Sequence, residues 1–320
     1  MKKIALEEAY AAPGLEKYLE RTLELVTREA PRRELTSMLE DLGERRIAAM
    51  DDAGIDVFVL SHTSPGVQAE TDAGTAVKLA RSANDYLHGQ IAKYPDRYRG
   101  FAHLAMQDVA AASDELQRCV RDLGFLGAMI NGNTNGVYLD DRRYDPFWER
   151  VGDLGVPIYI HPADPYVQPH VVDGLPEMQG AVWGWTTDNS SHFLRLVFGG
   201  LFDRFPNLTV ILGHMGETLP YFIWRLDGRY AATDQGDARK IKRKPSEYFR
   251  SNLIITTTGV CQDSALSCAL AEMGDDRVLF SVDYPYEDTK EASEWIDRAP
   301  LTDAQRENVC HANAERILKM

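Results

Sequence analysis

Cysteine is scarce in this chain. Its 320 residues include four, Cys119, Cys261, Cys268 and Cys310, and no two form a CxxC pair. A chain of this length buries enough apolar surface to fold without covalent staples, so free thiols in a reducing compartment are expected. Long apolar runs are also lacking. No stretch reaches the roughly 18 apolar residues a membrane-spanning helix needs. The opening MKKIALEEAYAAPG offers only Ile4 to Leu6 before two glutamates, which does not make a signal peptide. A cytoplasmic location is the expectation. Positive charge is in short supply, with 35 lysines and arginines against 49 acidic residues and a net charge of −14. That balance argues against nucleic acid or an anionic membrane as a partner. It leaves an anionic small molecule open, because a local cation outweighs a diffuse acidic surface. No glycine-rich phosphate fingerprint follows the first apolar run, which counts against a Rossmann domain and against an organic nucleotide cofactor.

What is present is an alternation of short β-rich runs with longer helical stretches. The runs are Ile4–Leu6, Val57–Leu60, Gly100–Leu104, Ala128–Ile130, Pro157–Ile160, Thr209–Leu212, Leu253–Thr257 and Val278–Val282. Several are apolar throughout, as expected of parallel strands buried on both faces. Between them lie helical stretches at Leu35–Ala53, Ala73–Lys93, Ala110–Asp122, Tyr144–Leu154, Ser190–Phe205 and Ala265–Met273. Eight β-α units without a long linker favour a closed (β/α)8 barrel over an open sheet, and one domain over residues 1–320. The longest irregular connection is 162–189, with four prolines, which suits a lid or a subunit contact.

In such barrels the chemistry gathers at the C-terminal strand ends. There the chain places Glu7 and Glu8, Ser61 and His62, Asn131, His161, His214 with Glu217 three residues on, and Asp283. Carboxylates and imidazoles are the ligands a divalent cation requires. Each has an ordinary structural reading: a hydrogen-bonded histidine at a strand terminus, a helix-capping aspartate, an acidic first turn. Those readings are mutually independent, whereas one metal site explains all of them together. His103 sits inside an apolar run and faces either into or out of the barrel. His192 and Arg195 share a helical face and are expected at the surface, as are His88, His170 and His311.

The segments Ala5-Leu6-Glu7-Glu8-Ala9, Ile160-His161-Pro162, Gly213-His214-Met215-Gly216-Glu217 and Ser281-Val282-Asp283-Tyr284-Pro285 resemble the amidohydrolase-related decarboxylases over essentially the whole chain. That group includes the γ-resorcylate, 2,3-dihydroxybenzoate and 5-carboxyvanillate decarboxylases, with aminocarboxymuconate semialdehyde decarboxylase more distant. Asp41 to Arg46 and Thr63 to Gln68 look most like the carboxyvanillate branch, and Leu116 to Cys119 more like the resorcylate branch. The resemblance implies an amidohydrolase-type (β/α)8 barrel with Glu7, His161 and Asp283 as metal ligands. It implies catalytic roles for Asp283, His214 and Glu217, and substrate contacts from Tyr286, Asn131 and Arg46. It also implies a homodimer or homotetramer acting on a small aromatic acid. Two departures matter. Ala9 stands where the resorcylate enzyme has a further histidine, and Asn131 stands where hydrolytic relatives often carry a bridging lysine. The remaining oxygen-rich set suits one Mn²⁺ or Mg²⁺ better than Zn²⁺. The expected reaction is a reversible, non-oxidative decarboxylation of an ortho-hydroxylated aromatic acid of the dihydroxybenzoate, salicylate or carboxyvanillate type. The alternatives are a mononuclear hydrolase or hydratase of the same superfamily, and a non-catalytic binding barrel.

Overall fold

Each expected run becomes a strand, and all pair in parallel. The computed structural model describes residues 1–26, 29–233 and 241–320. The strands are β1 (Ile4–Tyr10), β2 (Val57–His62), β3 (Tyr98–Gly100), β4 (Ala102–His103), β5 (Ala128–Asn131), β6 (Ile158–His161), β7 (Val210–Leu212), β8 (Leu253–Thr256) and β9 (Val278–Leu279). They pair in chain order as β1-β2-β3 and β4 to β9. β3 and β4 are halves of one run: the Phe101 amide between them donates to Leu60 O, and the Ala102 amide to Gly127 O. At the opposite seam the Ala9 amide donates to Tyr284 O at 2.7 Å, and Glu7 N donates to Ser281 Oγ at 2.8 Å.

The side chains show how the strands curl. Ile4, Leu6, Val57, Val59, Phe101, Met129, Tyr159, Ile211, Ile254 and Leu279 form one buried cluster. Strands from both sheets reach a common cluster only when they wrap around it, which makes this the barrel interior. The alternate residues, among them Ala5, Phe58, Ile130, Ile158, Val210 and Ile255, pack outward against the helices. Ala314 and Leu318 of the last helix join the interior cluster.

Three boundaries differ from the sequence reading. β1 continues past Leu6 to Tyr10, so both glutamates lie within the strand rather than beyond it. The stretch 35–53 divides into helices Glu29–Glu40 and Glu44–Ala53. Arg46 fixes that break: its guanidinium is fully buried, donates to Asp41 O and Met38 O, and stacks on Tyr284. The helix expected from Ser190 begins at Gly184, stops at Phe198 before Gly199-Gly200, and resumes as Leu201–Arg204. The irregular connection therefore ends at 183, with short 3₁₀ turns at 170–172, 176–178 and 180–182.

The expectation of a surface His192 is also corrected. His192 is fully buried and its Nε2 accepts the Leu139 amide at 3.0 Å, whereas Arg195 pairs with Asp140 outside. His103 is buried too, accepting the Val67 amide and stacking on His62. His88 and His170 are exposed and His311 is half-buried.

Burial pushes the His192 imidazole down to about 3 and His62 to about 4. An imidazole that refuses its proton when folded but takes it near pH 6.5 when unfolded favours the unfolded chain as pH falls. Stability is therefore expected to drop from about pH 6.5 toward pH 4. Urea midpoints across this range should fall less steeply in His192→Gln, whose amide oxygen still accepts Leu139 N. An unchanged slope would contradict the assignment.

Candidate active site

The site begins with an irregularity in β1. Between Ala5 and Glu8 the pairing with β2 slips, two residues, Leu6 and Glu7, facing one, Val59. Such a bulge reverses the in-out alternation. Leu6 faces the barrel interior, and the next residue, Glu7, does so as well, its carboxylate accepting the hydroxyl of the interior residue Tyr159. Glu8 turns instead to the β1–β9 seam. There its carboxylate accepts the amides of Val282 and Tyr284, both at 3.0 Å, and the Ser281 hydroxyl at 3.1 Å. Those amides flank Asp283, which is held at φ 89°, a conformation L-residues rarely adopt. Glu8 thus clamps the backbone that aims Asp283. Burial raises its own carboxyl to about 7.

Strand periodicity places Tyr159 and His161 on the same face of β6. The interior face of β7 continues from Ile211 to Gly213, and there any side chain would displace the carboxylate: a Cβ would sit 2.3 Å from Glu7 Oε2. The chain then enters a left-handed turn. His214, Met215, Gly216, Glu217 and Thr218 all have φ between 46° and 74°. Left-handed backbone costs roughly 1–2 kcal/mol for each L-residue, and a run of it marks a functional site held by its surroundings. The surroundings here are the helix 184–198. Ser190 Oγ donates to Glu217 O, and Asn189 Nδ2 donates to Glu217 Oε1 at 2.9 Å. The turn brings His214 Nδ1 to 2.9 Å from Glu217 Oε1.

Ligand atoms of Glu7, His161 and Asp283 all lie within 4.8 Å of one another. His161 Nδ1 donates to Pro162 O at 2.7 Å, which leaves Nε2 as a bare lone pair. That lone pair faces Glu7 Oε1 at 3.2 Å, and Oε1 is buried with no hydrogen-bond partner. Two acceptors facing each other are repulsive without a cation, so the donor set fits a divalent ion. Burial raises the Glu7 pKa and lowers that of His161, keeping the imidazole neutral as a ligand must be. His214 Nε2 lies 3.7 Å from Asp283 Oδ2 and 3.9 Å from Glu7 Oε1. Burial opposes its charge, but Glu217, Glu7 and Asp283 together raise its pKa well above the ordinary value.

His161, His214, Glu217 and Asp283 line the floor of a cavity of about 520 Å³, a size suited to a small aromatic molecule, with Glu7 buried behind His161. Its walls include Leu35, Met38, Thr63, Trp185, Val260 and Tyr286. Tyr286 OH and Thr63 Oγ1 lie 2.5 Å apart. The segment after β1 and the connection after β6 both reach the cavity, through Thr22 and Leu35 and through Ala181 and Trp185.

Six of the eight expected site residues thus converge: Glu7, His161, Asp283, His214, Glu217 and Tyr286. The expected contacts from Asn131 and Arg46 are corrected, since neither lines the cavity. Asn131 is fully buried, its amide donating to His62 O and Thr63 O. Arg46 is spent on the helix break described above. The sequence reading placed Glu8 at the strand end without its role, and missed Tyr159, Asn189 and Gly213. Tyr159 and Gly213 were legible by counting two residues along a strand from His161 and Ile211. Asn189 carries no such signal.

The fold and the site define an amidohydrolase. The chain belongs to that family, whose profile matches residues 38–320. It is 41% identical to the γ-resorcylate decarboxylase of Polaromonas sp. strain JS666, over 99% of this chain and 98% of that one. The crystal structure of the dihydroxybenzoic acid decarboxylase of Polaromonas sp. JS666, with manganese and the inhibitor 2-nitroresorcinol bound, has a TM-score of 0.94 at 41% identity, covering 99% of this chain and 97% of that chain. That of the 5-carboxyvanillate decarboxylase of Novosphingobium aromaticivorans, with manganese and 4-hydroxy-3-methoxy-5-nitrobenzoic acid, has a TM-score of 0.91 at 35% identity, covering 99% and 96%.

Glu217 is the largest influence holding the His214 proton. In metal-free protein, Glu217→Gln is expected to lower the His214 pKa in an NMR titration of the imidazole. An unshifted titration would show that the pair does not act as a unit.

Proposed function

We propose that this protein is a divalent-metal-dependent, non-oxidative decarboxylase of an ortho-hydroxylated aromatic acid, with 2,6-dihydroxybenzoate as its substrate. The observation that carries the reading is the convergence of Glu7, His161 and Asp283 beside the His214–Glu217 pair, at the base of an aromatic-sized cavity that all but the buried Glu7 line. The choice of dihydroxybenzoate over carboxyvanillate follows the higher identity to the former relatives.

Glu7, His161 and Asp283 would hold the cation, and two carboxylates with one imidazole favour Mn²⁺ or Mg²⁺ over Zn²⁺. When bound it would supply Lewis acidity toward the carboxylate and phenolate oxygens of the acid. The chain's own residues do the rest. Direct loss of CO₂ would leave an aryl carbanion, so the ring carbon bearing the carboxylate is protonated first. Asp283 delivers that proton from its carboxyl group, aimed by the Glu8 clamp. Cleavage of the C–C bond then returns its electron pair to the ring, restores aromaticity and releases CO₂. One proton is consumed and one CO₂ formed, with no oxidant or organic cofactor. His214, kept charged by Glu217, holds the anionic end of the acid on the cavity floor. Leu35, Met38 and Trp185 exclude water from the ring. The same steps reversed give carboxylation at high bicarbonate.

The protein is read as a cytoplasmic homodimer or homotetramer. The four free thiols support the location, and the exposed Tyr221, Phe222 and Trp224 on one helix support self-association.

Metal-stripped protein reloaded with Mn²⁺ is expected to convert 2,6-dihydroxybenzoate to equal amounts of CO₂ and resorcinol. Asp283→Asn should lower kcat by at least about 10²–10⁴, the range a positioned proton donor supplies. Hydrolysis of lactones or amides without CO₂ release would replace the decarboxylase by a mononuclear hydrolase.

A further inference from the structure

Beneath Glu7 lies a chain of hydroxyls that the chemistry above does not use. Tyr159 OH contacts Glu7 Oε2 and lies 2.9 Å from Thr256 Oγ1, which lies 2.6 Å from Thr258 Oγ1. All three residues are fully buried. Their proton order follows from chemistry. A carboxylate only accepts, so Tyr159 donates to Glu7, and its own oxygen is left to accept from Thr256. Hydrogen bonds aligned this way strengthen one another in a low-dielectric interior. The two Glu7 oxygens are therefore inequivalent. Oε2 is held by Tyr159 close to Gly213, where a Cβ would collide with it, while Oε1 faces His161 Nε2 with no hydrogen bond of its own.

We infer that Tyr159, backed by Thr256 and Thr258, is a positioning residue that holds Glu7 as a one-oxygen ligand, reserving Oε1 for the divalent cation. The inference rests on the metal site proposed above and adds the device that presets its geometry. A carboxylate free to rotate would offer either oxygen or both, and it would lose conformational freedom on binding. Here the barrel interior sets it in advance.

The test is Tyr159→Phe, which removes one oxygen and keeps the ring packed beside Phe101. Mn²⁺ is titrated into metal-free protein by calorimetry at a temperature where wild type and variant are both folded. The expected result is a Kd raised 10–100-fold, the usual consequence of removing a group that orients a ligand, with kcat at saturating Mn²⁺ changed far less. Thr256→Val, one hydroxyl further from Glu7, should show a smaller rise in Kd. An unchanged Kd in Tyr159→Phe, whether or not its metal-free melting temperature falls, leaves the tyrosine a packing role and overturns the inference. Glu7→Gln separates this from failure of the metal site itself. If Glu7→Gln loses Mn²⁺ and Tyr159→Phe does not, only the inference falls. If neither variant changes Mn²⁺ binding, the metal site falls with it.

Discussion

Everything at the head of this barrel depends on one buried carboxylate. Glu7 is nearly inaccessible to solvent, and burial alone disfavours its charge. An ionised group in that position is tolerable only where hydrogen bonds and opposite charge surround it. The structure supplies them from several strands: a hydroxyl from β6, a charged imidazole after β7, and a gap at Gly213 that lets the carboxylate approach the backbone. What it leaves open is a single oxygen turned toward His161 and Asp283. That one unmet requirement is what the proposed cation would fill.

The same constraint accounts for the unusual backbone around it. The bulge in β1 turns Glu7 inward and Glu8 to the seam, where Glu8 clamps the amides on either side of Asp283. The left-handed turn at 214–218 places His214 and Glu217 in hydrogen-bonding contact on a common wall. Each departure from regular geometry puts a functional group where a regular strand or helix could not. Strain of this kind is retained where neighbouring elements hold it, as Asn189 and Ser190 do from the adjacent helix.

Much of this was legible in the residues. Parallel strands buried on both faces write themselves as short apolar runs, and the polar residues that follow the runs mark one end of the barrel, so His161, His214 and Asp283 could be read directly, and Glu7 as well although β1 runs on past it. Boundaries were less legible where side chains act against the local pattern. Arg46 breaks a stretch that reads as one helix, because its partners Met38 O and Asp41 O are backbone atoms with no sequence signature. His192 looked like a surface residue for a related reason, since a buried imidazole satisfied by an amide from a distant turn looks no different in sequence from a solvated one. The roles of Glu8 and Asn189 lay beyond pattern as well, because both act through contacts with residues far away in the chain.

The central claim is that Glu7, His161 and Asp283 share one divalent cation, and the most direct measurement is anomalous scattering from crystals grown with Mn²⁺. The account expects one strong manganese peak within coordination distance of Glu7 Oε1, His161 Nε2 and the Asp283 carboxylate, with Glu7 Oε2 still on Tyr159. A peak elsewhere in the cavity, or none in Mn²⁺-saturated crystals, would contradict it.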